Sequence, residues 1–332
     1  MRGGPGERSP GPFLVGADGA AGRERQASRT LGRVKRDHWR RVNESLDPER
    51  DFVEIYRNLV MHEFPWDMNQ ALSFALFRTY AVPGIGALLC RTGEFTERTQ
   101  KRYDDTALLL EVPTRKGFED AESRSAIRRI NQMHRAYDIP DHEFRYVLST
   151  FVVVPQRWLE SYGKRPLSAA ESRASVVYYR TLGRHMGISD IPEDYEGFAA
   201  LMDGYEAQHF AYDEGARRVA DSTMALLGTF RPAVPARAME LLSRCLMDDA
   251  LLAAFRYEVP SPAVRSVARA SVRLRGKVAG LLPASAKPTR VADLPWIRSY
   301  PDGFRVEDLG TFPHGCPVPH EAAPASSLNK EP

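Results

Sequence analysis

The sequence predicts an all-α protein, a single helical bundle domain with disordered N- and C-terminal tails. Three observations predict it. From Asp37 to about Ser285 apolar residues recur at steps of three and four, the spacing of helices that bury one face. Strand signals are sparse: the one β-branched run, YVLSTFVVVP at 146–155, joins helical patterns on both sides and lacks hairpin turn chemistry. The breaks between periodic segments carry helix start signals.

Taken in order, residues 1–34 are rich in Gly, Pro, Arg and Ala without a period and read as a disordered basic tail. Residues 1–42 hold most of the chain's positive excess, with Arg2, Arg8, Arg23, Arg25, Arg29, Arg33, Lys35, Arg36, Arg40 and Arg41 against few acids. A domain follows from 35 to 313. Its helices are separated by breaks at 62–67, 91–95, 111–120, 137–143, 161–168, 187–194 and 229–235. Asp67, Ser168 and Asp194 are expected N-caps, and Ser168 with Glu171 three residues on forms a capping box. The run ALSFALFRTYAVPGIGALLC reads as a buried helix broken at Pro83, and Pro113 and Pro155 are each expected to stop a helix. In AVRSVARASVRLRGKVAGLL (263–282), Val264, Val267, Ser271, Leu274, Val278 and Leu281 make one face, and Arg265, Arg269, Arg273 and Lys277 another. Such a helix either packs its apolar face on the core or lies by its basic face on an anionic membrane, a weak peripheral contact. The helical core ends near 285. An irregular, Pro- and Gly-punctuated segment from Lys287 drapes over it, and 314–332 reads as a second disordered tail.

Composition narrows the function. With 332 residues, 43% hydrophobic and 27% charged, the chain can bury a sizeable core. A net charge of +3 is too small to argue for nucleic acid. Cys90, Cys245 and Cys316 lie far apart, so no CxxC metal site or CxxCH haem attachment exists, and the pattern suits a reducing cytoplasm. No apolar run of signal-peptide or transmembrane length is present.

The first candidate site residue is His134. Ile127, Ile130, His134 and Tyr137 fall on one helical stripe. An inward histidine there is either a core imidazole bonded to a carbonyl or an iron ligand. The second candidate is RYDDT at 102–106. Arg102 and Thr106 are one turn apart and share a face with Leu109, an odd mixture for a core. They make a surface ion pair with Asp105 or a pocket wall with Asp105 on its edge. A di-iron bundle needs two Glu-x-x-His pairs, and only Glu206–His209 is present. HExxH, GxSxG, P-loop and GxGxxG signals are absent.

RTGEF, RYDDT, RINQMHRAYDIP, FRYVLSTFVVVPQRWLESYGKRPLSAAE, YYRTLGRHMGISDIPED and YPDGFRVEDLGTF occur in that order. Together they resemble the family of MpaB oxygenases and latex-clearing proteins (rubber oxygenases), the MpaB-like branch more closely, over about residues 50 to 313. The resemblance implies a globin-like helical core with one non-covalent haem b, and O2 as co-substrate. His134 would be the axial iron ligand, and Arg102 and Thr106 would sit on the facing helix. Asp105 stands where rubber oxygenases carry a lysine, and the glutamate used as base in rubber cleavage has no counterpart around YAVPGIGALL. The implied activity is a haem-dependent oxygenase acting on an apolar small molecule, with oxidative cleavage of an isoprenoid C=C bond as one such reaction and Arg102, Thr106 and Asp105 as its catalytic candidates. The competing expectation is a haem-binding protein without catalysis: an O2 sensor, carrier or haem store.

Overall fold

A computed structural model describes residues 32–230 and 233–311. The tails expected to be disordered fall outside these residues, except for 32–34 of the N-terminal one. Arg33–Val34 (β1) pairs antiparallel with Ala284–Ser285 (β2), Arg33 opposite Ser285 and Val34 opposite Ala284. This two-residue ladder is the one sheet among the described residues.

Everything else that is regular is helix, as the periodicity requires. Fourteen α-helices follow one another among the described residues: α1 His38–Glu44, α2 Phe52–Asn58, α3 Pro65–Thr79, α4 Pro83–Arg91, α5 Glu94–Glu97, α6 Thr99–Lys116, α7 Ala121–His134, α8 Asp141–Tyr162, α9 Ala169–His185, α10 Tyr195–His209, α11 Glu214–Thr229, α12 Ala236–Leu246, α13 Asp249–Ala254 and α14 Pro262–Leu281. A π-helical turn, Leu59–Glu63, joins α2 to α3.

The local signals hold in part. Ser168 and Glu171 form the expected capping box, and Asp194 caps α10 by accepting from Gly197 N. Asp67 caps nothing: α3 begins two residues earlier at Pro65, and the Asp67 carboxylate instead accepts from Trp158 Nε1 (3.2 Å) and pairs with Arg275. The helix at 65–91 does break before Pro83. Pro113 and Pro155 stop nothing. Both lie buried inside helices, α6 and α8. A proline inside a helix costs about 3 kcal/mol, and the long buried faces of α6 and α8 outweigh it.

The core is built around α3 and α8, which pack along their length, with α9, α10 and α2 around them. A second apolar cluster lies between α11, α13 and the ends of α3 and α5, with Tyr80, Val219, Leu252 and Phe255 at its centre. A third, around Leu108, Leu109 and Ile130, is roofed by Val306 and Leu309. That roof is part of the irregular segment after β2, which crosses α6 and α7. No single helix among the described residues is long and apolar enough to cross a membrane. The α3–α4 pair has the length and composition only when taken together, and it bends by 95° at its break.

Helix α14 is turned the opposite way from a helix that packs its apolar face. Val267, Leu274 and Leu281 are 71%, 61% and 72% exposed. The docking face is Val272 and Gly276, flanked by arginines. Arg265 and Arg269 donate to Met247 O (both 3.0 Å), and Arg269 also donates to Cys245 O (2.9 Å). These carbonyls end α12, where a helix accumulates partial negative charge. Two of the four basic residues are thus spent on attachment rather than left in solvent. Gly276 allows the close approach: a Cβ there would stand 2.2 Å from Tyr162 O and 3.0 Å from Gly163 O. Gly→Ala inside a helix ordinarily gains up to about 1 kcal/mol, but here overpacking against rigid backbone reverses the sign. Gly276→Ala is expected to lose about 1–3 kcal/mol in urea unfolding, and a stabilised variant would mean that α14 is not held this closely.

Candidate active site

His134, Arg102 and Thr106 are brought to one place. They line a cavity of about 520 Å³ enclosed by α3, α4, α6, α7, α8 and α9. Its wall is mainly aliphatic and aromatic, with Leu109, Ile130, Phe144, Val147 and Phe151 among its lining residues. Volume and lining fall in the range of cavities that take small organic molecules.

His134 ends α7; the chain turns at Arg135, so Tyr137 lies beyond the helix rather than on its stripe, though it still lines the cavity. Ile127 and Ile130 on that stripe are buried. The imidazole has no hydrogen-bond partner at its buried Nδ1; it meets the Phe144 ring edge-on at 5.2 Å. Burial pushes its pKa down to about 4, and the Arg102 charge adds to the fall. It is therefore neutral at physiological pH, with a nitrogen lone pair for a Lewis acid. The core-histidine reading required a carbonyl partner, and none exists among the described residues.

The helix bearing His134 is braced by its own motif. Arg129 donates to Leu309 O (2.8 Å), Thr311 O (2.5 Å) and Gln132 Oε1 (2.9 Å), and Asn131 donates to His185 O (3.0 Å). Gly310, at φ +89°, lies so close to Met133 that a Cβ would meet its sulfur at 2.2 Å. Positive φ and the close approach both call for glycine there.

On α6 the two halves of RYDDT do different work. Arg102 Nη1 donates to Thr106 Oγ1, and the Thr106 hydroxyl donates to Arg102 O (2.8 Å). A hydroxyl has one proton, so Thr106 is engaged in holding the guanidinium. Arg102 lies over the Phe95 ring (5.0 Å to its centroid) and forms no ion pair among the described residues. Most of its five donors remain for a group within the cavity. Asp105 is not in the cavity. It is buried on the adjoining edge of α6, paired with Lys101 (2.6 Å) and accepting from the Tyr300 hydroxyl. Lys101 also donates to Gly310 O (3.1 Å). Asp104, fully buried, accepts from Arg298 N, Ser299 N and Oγ, and Gln100. The two aspartates clamp the C-terminal segment to α6.

Glu143 was missed at the sequence level. An acid in the first turn of α8 looks like an ordinary partner of the helix dipole, and no pattern marks it as inward. It is 8% exposed and lines the cavity, and its carboxylate forms no hydrogen bond or ion pair among the described residues. Burial raises its pKa, with the His142 and His209 charges opposing. Gly84 gives it room: a Cβ there would stand 2.4 Å from Glu143 Oε1. Glu94 also lines the cavity, but it is paired with Arg98.

A family model described as the catalytic domain of the ER-bound oxygenase mpaB/B'/rubber oxygenase matches residues 68–277, so the chain belongs to that oxygenase family. It is 30% identical over 290 residues to the ER-bound oxygenase mpaB' of Penicillium brevicompactum, covering 80% of this chain and 68% of that protein. It is 29% identical over 257 residues to the ER-bound oxygenase mpaB of the same organism, covering 71% and 65%. To the ER-bound oxygenase mpaB of Penicillium roqueforti (strain FM164) it is 30% identical over 227 residues, covering 63% and 76%. The chain thus spans about two thirds to three quarters of these relatives.

Two outcomes follow. Asp105→Ala leaves the Lys101 ammonium buried without its partner, so a loss of about 3–5 kcal/mol is expected in chemical denaturation; an unchanged midpoint would contradict a buried clamp. The lowered pKa of His134 means that the unfolded chain takes up this proton first as pH falls. The stability it contributes is full above about 6.5 and is lost progressively toward pH 4. The cofactor-free His134→Phe variant is expected to lose less stability across that window than the parent, as read by urea midpoints at each pH. Parallel curves would place the imidazole in solvent.

Proposed function

We propose that this member of the oxygenase family depends on haem b and uses O2 on an apolar small molecule, with an isoprenoid C=C bond cleaved oxidatively as the candidate reaction. The observation that carries the proposal is one neutral, unpartnered imidazole and one unpaired guanidinium facing the same apolar cavity. Among the described residues no three His, Cys, Asp or Glu side chains gather to hold a metal ion. A lone histidine therefore suits a metal whose other ligands arrive with it, as a porphyrin's do.

The residues present fit such a group. His134 would hold the iron through its neutral ring, and Arg102 would pair with a propionate or with an anionic group of the substrate. When bound, haem supplies the redox-active iron for O2 chemistry. The chain supplies the surroundings. Leu109, Ile130, Phe144, Val147 and Phe151 exclude water and receive an apolar substrate. Thr106 positions the Arg102 guanidinium, whose charge would stabilise negative charge developing nearby. Glu143, raised in pKa and without a partner, is suited to hold or take a proton at its carboxylate. The cytoplasmic location read from the scattered cysteines belongs to the same proposal; Cys90 and Cys245 are free thiols.

The test is a hemin titration of the purified chain followed by its visible spectrum. A b-type haemochrome is expected. His134→Ala should weaken hemin retention at least tenfold, whereas His142→Ala, His185→Ala and His209→Ala should keep it. Retention by the His134 variant, or a parent that never takes up hemin, would overturn the assignment. O2 uptake by reduced protein with and without an isoprenoid lipid separates an oxygenase from a haem store or carrier.

A further inference from the structure

Ten large hydrophobic side chains are exposed among the described residues, and six of them belong to one place: Val264, Val267, Leu274, Val278, Leu281 and Leu282, at 40–72% exposure. They run down the outer face of α14 and just past its end. Scattered exposed apolar residues need no explanation, but a contiguous stripe does. It is not a folding remainder, since the helix has its own docking face in Val272, Gly276, Arg265 and Arg269.

Charge identifies the occupant. Between Glu258 and Asp293 the chain has no acid and seven bases. Arg265, Arg269 and Arg275 turn to protein groups. Arg273 and Lys277 are exposed, one turn apart beside the apolar stripe, and form no ion pair among the described residues. The β1–β2 ladder then brings a second basic cluster to the end of the same helix: Arg33 pairs with Ser285, and Lys35 and Arg36 follow it, all exposed and without ion pairs among the described residues. An apolar stripe bordered by unneutralised cations matches an anionic bilayer surface, where acyl chains lie below a layer of phosphate. A second copy of this face would set like charges against each other.

We propose that α14 docks the protein on anionic membrane surfaces, with Val267, Leu274 and Leu281 entering the acyl boundary while Arg273, Lys277 and the Arg33–Lys35–Arg36 cluster meet lipid phosphate. The basic residues supply long-range attraction and orientation; the apolar stripe supplies retention. Attachment is reversible and weakens with salt.

Flotation of the full chain with vesicles tests this. Binding to mixed phosphatidylcholine–phosphatidylglycerol vesicles is expected to exceed binding to phosphatidylcholine alone at least tenfold, and to fall when salt shortens the Debye length to about 3 Å. The double variant Leu274→Asp/Leu281→Asp should lose binding at least tenfold at an unchanged melting temperature, because both side chains are already in water. Arg273→Gln/Lys277→Gln should lose most of the preference for anionic vesicles. Absence of parent binding, equal binding to neutral vesicles, or a Leu274/Leu281 variant that binds like the parent would overturn the proposal. So would a parent dimer in sedimentation velocity that the Asp variants dissociate, since the stripe would then be a self-interface.

Discussion

Two adjacent carboxylates on α6 set the geometry on which the site depends. A helix turns by about 100° per residue, so Asp104 lies nearly opposite Arg102, and Thr106 returns almost to the Arg102 face. Asp104 and Asp105 are buried and bonded to residues 298–300 and to Lys101. With Asp104 committed opposite and Asp105 on the adjoining edge, Arg102 and Thr106 are left facing the cavity. The stability of the clamp and the orientation of the site are the same fact seen from two sides of a helix.

The cavity is electrostatically unusual because its polar groups are few and incompletely matched. Arg102 brings a positive charge into a largely apolar enclosure, and it adds to the burial that already keeps the neighbouring imidazole neutral. Glu143 lines the same space without a direct partner, and burial favours its protonated form. Unpartnered groups of this kind cost stability, and they concentrate where a bound group or a proton transfer restores the balance.

Much of this was readable in the sequence, for physical reasons. Helical periodicity is strong over long segments, and so the all-α class and most breaks could be read. Arg102 and Thr106 share a face by spacing alone, and an imidazole on an apolar stripe with Ile127 and Ile130 points inward wherever the helix packs. Other features depend on tertiary partners that spacing does not encode. Pro113 and Pro155 read as stops because local propensity is all a sequence displays, whereas packing on both sides carries the helices through them. Asp105 looked like a site residue because its partners, Lys101 apart, come from 195 positions away, at Tyr300. The α14 pattern offers two stripes, and which one turns inward is decided by Gly276 against the Tyr162 backbone and by the open carbonyls of α12, neither visible in its own sequence.

The brace on α7 also has a consequence for the order of assembly. The helix that carries His134 is held at its last turn by Leu309, Gly310 and Thr311, about 175 residues downstream. On the ribosome, α6 and α7 emerge and can fold long before those residues are made. The apolar walls from α3 to α9 can collapse early, while the clamp on Asp104 and Asp105 and the brace on Arg129 have to wait. The chamber is thus finished last, by the final stretch of the domain. Until then the Arg129 and Met133 side of α7 lacks the partners that hold it in the finished domain.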